Sequence, residues 1–251
     1  MVTPSSTHAI VIPSFNTGSR LAGTVREALA HWVPIFVVID GSTDGSGDAL
    51  ESNGHLTVIR FEQNRGKGAA VLAGVRAAAD RGFTHVLAMD SDGQHPAEAI
   101  GRFMEISAKN PNAVILGEPV FDAAAPALRV KGRRISNWWA NLETLWMGIH
   151  DSLFGFRVYP VAPFLNVMDG IRWARRFDFN AEVAVRLCWK GVPIVNVPTP
   201  VKYLTAGEGG VSQFRYVRDN ALLTWMHTRL MLGFFVRFPI LLARRLGRAK
   251  P

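Results

Sequence analysis

At 251 residues, with 48% hydrophobic and 19% charged side chains, the chain suits one α/β domain with a sizeable core and is excluded from the disordered and low-complexity classes. A single cysteine, Cys188, rules out an intramolecular disulfide and a thiolate metal cluster, and residues 1–8 lack the basic start and apolar stretch of a signal peptide, so a cytoplasmic location is expected. The net charge of +8 gathers at one end: residues 215–251 hold seven Arg and one Lys against Asp219, a local +7 that calls for an anionic partner.

Residues 8–13 read as a first strand. A helix follows with Leu21, Val25, Ala28, Leu29 and Trp32 on one face, at helical spacing. Residues 35–39 form an unbroken apolar run, as in a strand covered on both faces. The run stops at the turn-forming cluster Asp40-Gly41-Ser42-Thr43-Asp44-Gly45. A third strand is expected at 57–61, and a helix at 66–80 packing through Val71, Leu72, Val75 and Ala79. Fourth and fifth strands fall at 84–89 and 113–117, so the alternation predicts a mostly parallel, doubly wound α/β sheet. Residues 129–148 and 178–190 read as helical, with a short strand at 193–197 after them. From Gln213 the chain turns helical, apolar and basic. The expected organisation is a catalytic domain over 1–212 (nucleotide half 1–117, acceptor half 118–212) and a tail of basic amphipathic helices over 213–251.

Four strand ends carry polar clusters: Pro13 to Asn16, Asp40 to Asp44, Asn64 to Gly68, and Asp90 to Gln94. In a parallel sheet these ends line one crevice, where open α/β sheets bind ligands. Asp90 and Asp92 are two apart, so on an extended chain they point the same way and can converge on one cation. Oxygen donors of this kind suit Mg²⁺ or Mn²⁺, which keep open positions for phosphate oxygens. Lys67, flanked by Gly66 and Gly68 at a helix start, suits phosphate contact, although the P-loop spacing is absent.

In this order, Val11-Ile12-Pro13-Ser14-Phe15-Asn16, Asp40-Gly41-Ser42-Thr43-Asp44-Gly45, Asn64-Arg65-Gly66-Lys67-Gly68 and Asp90-Ser91-Asp92-Gly93-Gln94-His95-Pro96 resemble family 2 glycosyltransferases, and within them the dolichyl-phosphate mannose synthase group. Asp151-Ser152-Leu153-Phe154-Gly155-Phe156-Arg157 resembles that group's D-x-x-S-G-F-R stretch, and Gly209-Gly210-Val211-Ser212 its G-x-S element. The resemblance spans residues 8–215. It implies a GT-A fold, a UDP- or GDP-sugar donor and inversion at the anomeric carbon. It places Asp40 against the base or ribose with Pro13 and Asn16 beside it, and gives Asp90, Asp92 and Gln94 the metal and diphosphate. The chain departs from the pattern at Thr17, at Ile39 in place of a first aspartate, and at Gly117-Glu118-Pro119.

On the acceptor side, Arg129, Lys131, Arg133 and Arg134, followed by Ser136, suit a phosphate, with Arg133 and Arg134 as leading candidates. Arg157 and Ser212 join them from the two resembling stretches. Asp178 is a candidate general base if the acceptor is a hydroxyl; a phosphate acceptor needs none. Trp138, Trp139 and Trp146 suit core positions, with a lipid-chain groove as the alternative. In the tail, Arg237 splits two apolar runs too short to span a bilayer. Such a segment fits a helix in the interface of an anionic membrane or one packed on the domain. Nucleic acid is not expected, because the cations are interleaved with aliphatic residues. The reading is a peripheral enzyme on the cytoplasmic membrane face, acting on a polyprenyl phosphate or another membrane acceptor. The alternatives are a non-catalytic nucleotide-binding scaffold and an aspartate-nucleophile phosphohydrolase.

Overall fold

Helices cover both faces of the central strands, and this is why those strands are unbroken apolar runs. β1 (His8–Ser14) and β2 (Ile35–Asp40) are buried along their whole length. The computed structural model describes residues 2–121, 127–171, 173, 174, 176, 178–201 and 216–248. After β1 come α1 (Arg20–His31), β2, β3 (Leu56–Phe61), α2 (Lys67–Asp80) and β4 (His85–Ala88). Then follow α3 (Ile100–Lys109), β5 (Val114–Val120), α4 (Ala127–Glu143), β6 (Arg157–Pro160), α5 (Val161–Asp169), α6 (Phe179–Trp189), β7 (Ile194–Pro200) and α7 (Tyr216–Arg248).

Among the described residues the strands form one sheet of order β3-β2-β1-β4-β6-β5-β7. All neighbours are parallel except β6, which runs antiparallel to both β4 and β5. The pleat sorts side chains to two cores. Ile10, Ile12, Ile35 and Val37 meet Leu21 and Val25 of α1 and Phe103 of α3. Ala9, Val11 and Phe36 belong to the other core, with Val71 and Val75 of α2, Phe164 of α5, Val183 of α6 and Leu230 of α7. Gly74 lets α2 sit close to the sheet, since a Cβ there would lie 2.5 Å from Val11 Cγ1.

The expected parallel sheet is present, with three differences. β6 and α5 were not foreseen, because a four-residue strand ending in Pro160 carries too little pattern to read. The helix expected to reach 148 stops at Glu143, and Leu145 and Trp146 take left-handed backbone conformations (φ 51° and 55°) that end it. The tail is one 33-residue helix, α7, continuous through Pro239. The boundary expected between 212 and 213 lies outside the described residues.

α7 has two faces. Asp219, Met226, Leu230, Phe234 and Leu241 are buried against the domain, whereas Leu232, Phe235, Val236, Ile240 and Leu246 are exposed, Val236 by 79%. The expectation of a helix packed on the domain thus describes one face, and the other face is exposed. Among the described residues no helix is long and apolar enough to cross a membrane.

Candidate active site

Parallel pairing of β1, β2, β3 and β4 brings their four polar ends to one edge, and side chains then knit the ends together. Asn16 adopts a positive φ of 49°; its N–H donates to Ser42 Oγ (3.1 Å) and its Oδ1 accepts the Thr43 N–H (2.9 Å). Gly18 N–H reaches Asp44 Oδ2 at 2.8 Å. Pro13 is buried in β1 and pairs with Val38.

Asp40 is a correction to the sequence reading. Its carboxylate is 2% exposed and accepts the N–H groups of Arg65 (2.7 Å) and Gly66 (2.8 Å) and the side-chain amide of Asn64 (3.0 Å). It ties the end of β2 to the loop that opens α2, a bracing role that the turn cluster alone does not reveal. That tie aims the start of α2, including buried Gly68, so that Lys67 Nζ lies 2.5 Å from Asp90 Oδ1.

Asp90 and Asp92 sit at the end of β4, both half-buried. Burial alone would raise the Asp90 carboxyl, but the Lys67 ammonium, His95 and Arg157 outweigh it and hold it below the usual carboxylate range. Burial and the neighbouring Asp90 charge push Asp92 the other way, upward. Asp92 Oδ1 accepts the Gln94 N–H at 3.0 Å, and its carbonyl accepts Arg20 Nη1 at 3.1 Å.

The donor set suits a hard divalent cation: one carboxylate carries charge that burial and its neighbour oppose, and a cation between the two would relieve both. Among the described residues no cluster of three Asp, Glu, His or Cys closes a metal site. The remaining ligands would be the Gln94 side-chain oxygen, water and phosphate oxygens.

Three supporting residues stand in the quoted motifs without a role. His95 is buried, packed edge-on against Phe154 and Phe156, and its Nδ1 accepts the Asp90 N–H at 2.9 Å. That bond directs the other ring nitrogen, Nε2, towards Asp90 Oδ2 at 3.7 Å, and burial lowers the His95 pKa against the pull of Asp90 and Asp92. Gly155 lies over the Lys67–Asp90 pair: a Cβ there would stand 2.8 Å from Lys67 Nζ and 2.9 Å from Asp90 Oδ2. Asp151 holds this loop, its Oδ1 accepting the N–H groups of Leu153 (3.0 Å) and Phe154 (2.6 Å) and Arg133 Nη1 (2.6 Å). An Asp accepting N–H groups two and three residues ahead is a readable turn signal; the link to Arg133 is not.

The acceptor residues divide. Arg134 is exposed and Arg133 half-buried on α4, and both remain candidates. Arg157 is a correction: it has no exposed surface, and its nitrogens donate to the carbonyls of Phe154 (2.6 Å), Asn180 (2.5 Å) and Asp151 (3.3 Å). It staples the Gly155 loop to α6 from behind. Ser136 is a second correction, buried with its hydroxyl 3.1 Å from His227 Nε2 of α7 and 3.4 Å from Ser152 Oγ. Ser212 lies outside the described residues.

Asp178, at the start of α6, is buried and accepts the Arg176 N–H at 3.0 Å; burial raises its pKa. Glu182 one turn on is fully buried between Arg186 (2.7 Å) and Arg229 of α7 (3.0 Å), which makes it a brace between helices. Of the tryptophans, Trp138 and Trp146 are about half exposed (51% each), and Trp139 packs beside His227.

The family model described as "Glycosyl transferase family 2" matches residues 9–168. Polyprenol monophosphomannose synthase of Mycolicibacterium smegmatis is 29% identical over 232 residues, covering 84% of this chain and 82% of the relative. Undecaprenyl-phosphate mannosyltransferase of Micrococcus luteus is 27% identical over 222 residues, covering 80% of this chain and 86% of the relative. Among solved structures, glucosyl-3-phosphoglycerate synthase from Mycobacterium tuberculosis, in complex with Mn²⁺ and UDP-glucose, matches with a TM-score of 0.65 at 15% identity, covering 92% of this chain and 79% of that one.

Proposed function

The chain belongs to glycosyl transferase family 2 and is a glycosyltransferase with the GT-A fold, and from that premise we propose that it moves a sugar, with inversion, from a UDP- or GDP-sugar to a polyprenyl phosphate. A hydroxyl of another membrane acceptor is the second candidate. The observation that carries the donor side is the Lys67–Asp90 pair at the crevice edge, with the Asp92 carboxyl close enough to feel both charges, where a diphosphate would lie. The acceptor class is supported by the polyprenol-linked relatives and by a basic, apolar helix on the flank of the domain.

An acceptor oxygen attacks the anomeric carbon from the face opposite the leaving group. The bond from that carbon to the diphosphate oxygen breaks, and its electron pair leaves with the nucleoside diphosphate. Mg²⁺ or Mn²⁺ held by Asp90, Asp92 and Gln94 would supply charge neutralisation on that diphosphate. Lys67 adds a fixed positive charge within reach of the same oxygens, and Gly155 keeps the Lys67–Asp90 seat from spreading. Arg133 and Arg134 orient the acceptor phosphate, which attacks without losing a proton. For a hydroxyl acceptor, Asp178 takes that proton.

Several basic residues near an anionic leaflet, at about 1 kcal/mol each, together with the exposed face of α7, would hold the protein peripherally at the cytoplasmic membrane face. The test is nucleotide release from a panel of UDP- and GDP-sugars, with Mg²⁺ or Mn²⁺, with and without polyprenyl phosphate. Release that requires one donor and the lipid supports the reading. Nucleotide binding with no turnover under any condition sinks it in favour of a binding scaffold.

A further inference from the structure

One cavity lies well away from the donor edge. Asn166 and Gly170 at the end of α5, Arg186, Trp189 and Lys190 at the end of α6, and Arg237 of α7 line a space of about 250 Å³. α6 begins beside the loop of the active site, where Asn180 bonds Arg157 and Leu153, and ends at this cavity. At 1.5 Å per residue, the twelve steps from Asp178 to Lys190 separate the two places by about 18 Å.

Among the described residues no carboxylate lines the cavity. Asp169, next to it in sequence, is paired with Arg76 at 3.2 Å. Two of the three cations are fixed before any ligand arrives. Arg186 is held by Glu182 through Nε (2.9 Å) and Nη2 (2.7 Å). Arg237 lies 4.8 Å from the centre of the Trp189 ring and gives Nη1 to the Gly233 carbonyl at 3.0 Å. A guanidinium has five N–H donors, so each keeps donors to spare in a set orientation. Lys190, exposed at the end of α6, adds a third set.

Basic side chains at a helix end also offset its dipole. That explanation reaches Arg186 and Lys190 but not Arg237, which comes from a different helix. The α6 end is moreover already capped, since Arg244 Nη1 donates to the Trp189 carbonyl at 2.5 Å.

We propose that this cavity is a second anion site, built for the oxyanion of a phosphate ester. Exposed Phe235, Val236 and Ile240 stand beside Arg237 on α7, so a phospholipid headgroup can enter while its chains meet the apolar face. A small soluble phosphate ester offers the same chemistry. The lipid source rests on the membrane reading above; the site itself does not.

The test uses the full-length chain and the variants Arg237→Gln and Lys190→Gln, with Arg245→Gln as a control that removes an equal charge from an exposed position outside the cavity. Lys190 has an exposed side chain, so its variant keeps the test alive if Arg237→Gln folds poorly. Sedimentation with phosphatidylcholine vesicles, with and without phosphatidylglycerol, reads the lipid arm; tryptophan fluorescence titrated with inorganic phosphate or glycerol 3-phosphate reads the soluble arm.

A charge-assisted hydrogen bond is worth roughly tenfold in affinity. Each cavity variant should therefore lose about tenfold in binding to the phosphatidylglycerol vesicles while the control loses far less. If the soluble phosphates alone discriminate cavity variants from control, the site stands and its ligand is soluble. Equal losses for all three variants on vesicles, with no phosphate response in the parent chain, overturn it. Sugar transfer assayed in detergent should be unchanged in the cavity variants; failure of that transfer in the parent chain counts against the proposed function and leaves this site standing.

Discussion

The donor edge and the α7 flank are held together by different physics. At the donor edge, short polar clusters close on one another through backbone N–H groups, as when Asp40 captures Arg65 and Gly66. α7 is held by long-range buried polar pairs: His227 with Glu143 at 2.8 Å, Ser136 with His227, and Arg229 with Glu182. In the first region Asp40 takes two backbone N–H groups and Asp92 one, while Asp90 is held by the Lys67 ammonium. The second is secured at a few points, and each point leaves a buried polar group without its partner if broken. Stability should therefore be most sensitive on the flank, and chemistry most sensitive at the edge.

Glu182→Ala is the strongest way to test the flank. It strands Arg186 and Arg229, whose Nε is already buried without a partner, and breaking a buried pair typically costs about 3–5 kcal/mol. Chemical denaturation should show that loss; a change within about 0.5 kcal/mol, the range of ordinary surface substitutions, would remove Glu182 as the brace.

At the edge, Asp92→Ala should leave the unfolding midpoint nearly unchanged while lowering transfer by at least about a hundredfold, the scale of losing one electrostatic stabiliser of a leaving group. Steady-state nucleotide release checks it, and near-normal turnover would take Asp92 out of the machinery.

Gly155→Ala sharpens the contrast. Its Cβ would displace the Lys67–Asp90 pair, so overpacking of about 1–3 kcal/mol should appear together with a fall in kcat of about tenfold. Loss of stability with kcat intact would mean that the seat is structural only.

The smallest effect is one of pH, at the far end of the sheet. His8 stacks on His85 with ring centroids 4.5 Å apart, and burial, reinforced by His85, lowers its pKa from 6.5 to about 4. Between those values the unfolded chain binds a proton that the folded one refuses. Stability is thus full above pH 6.5 and falls as the pH drops towards 4. Denaturation midpoints of the parent and His8→Gln should diverge less at pH 5 than at pH 7.5; an equal gap would contradict the lowered pKa.

The sequence by itself determined the parallel part of the sheet, the edge at which the four polar clusters meet and the placing of Asp90 and Asp92 together just past the end of β4. These are local properties: an apolar run, a turn cluster or an i, i+2 pair sits within a few residues, and parallel order brings the ends together. Only the tertiary structure decided what each polar side chain faces. Arg157 reads as a phosphate ligand until three carbonyls are seen around it, and Ser136 until His227, 91 residues away, closes on it. Asp40 looks like a ligand contact because its partners lie in the loop after the next strand. The split of α7 into a docked face and an open one depends in the same way on which helices lie beneath it. Residue chemistry is written at each position, but a buried partner distant in the chain is fixed by packing alone.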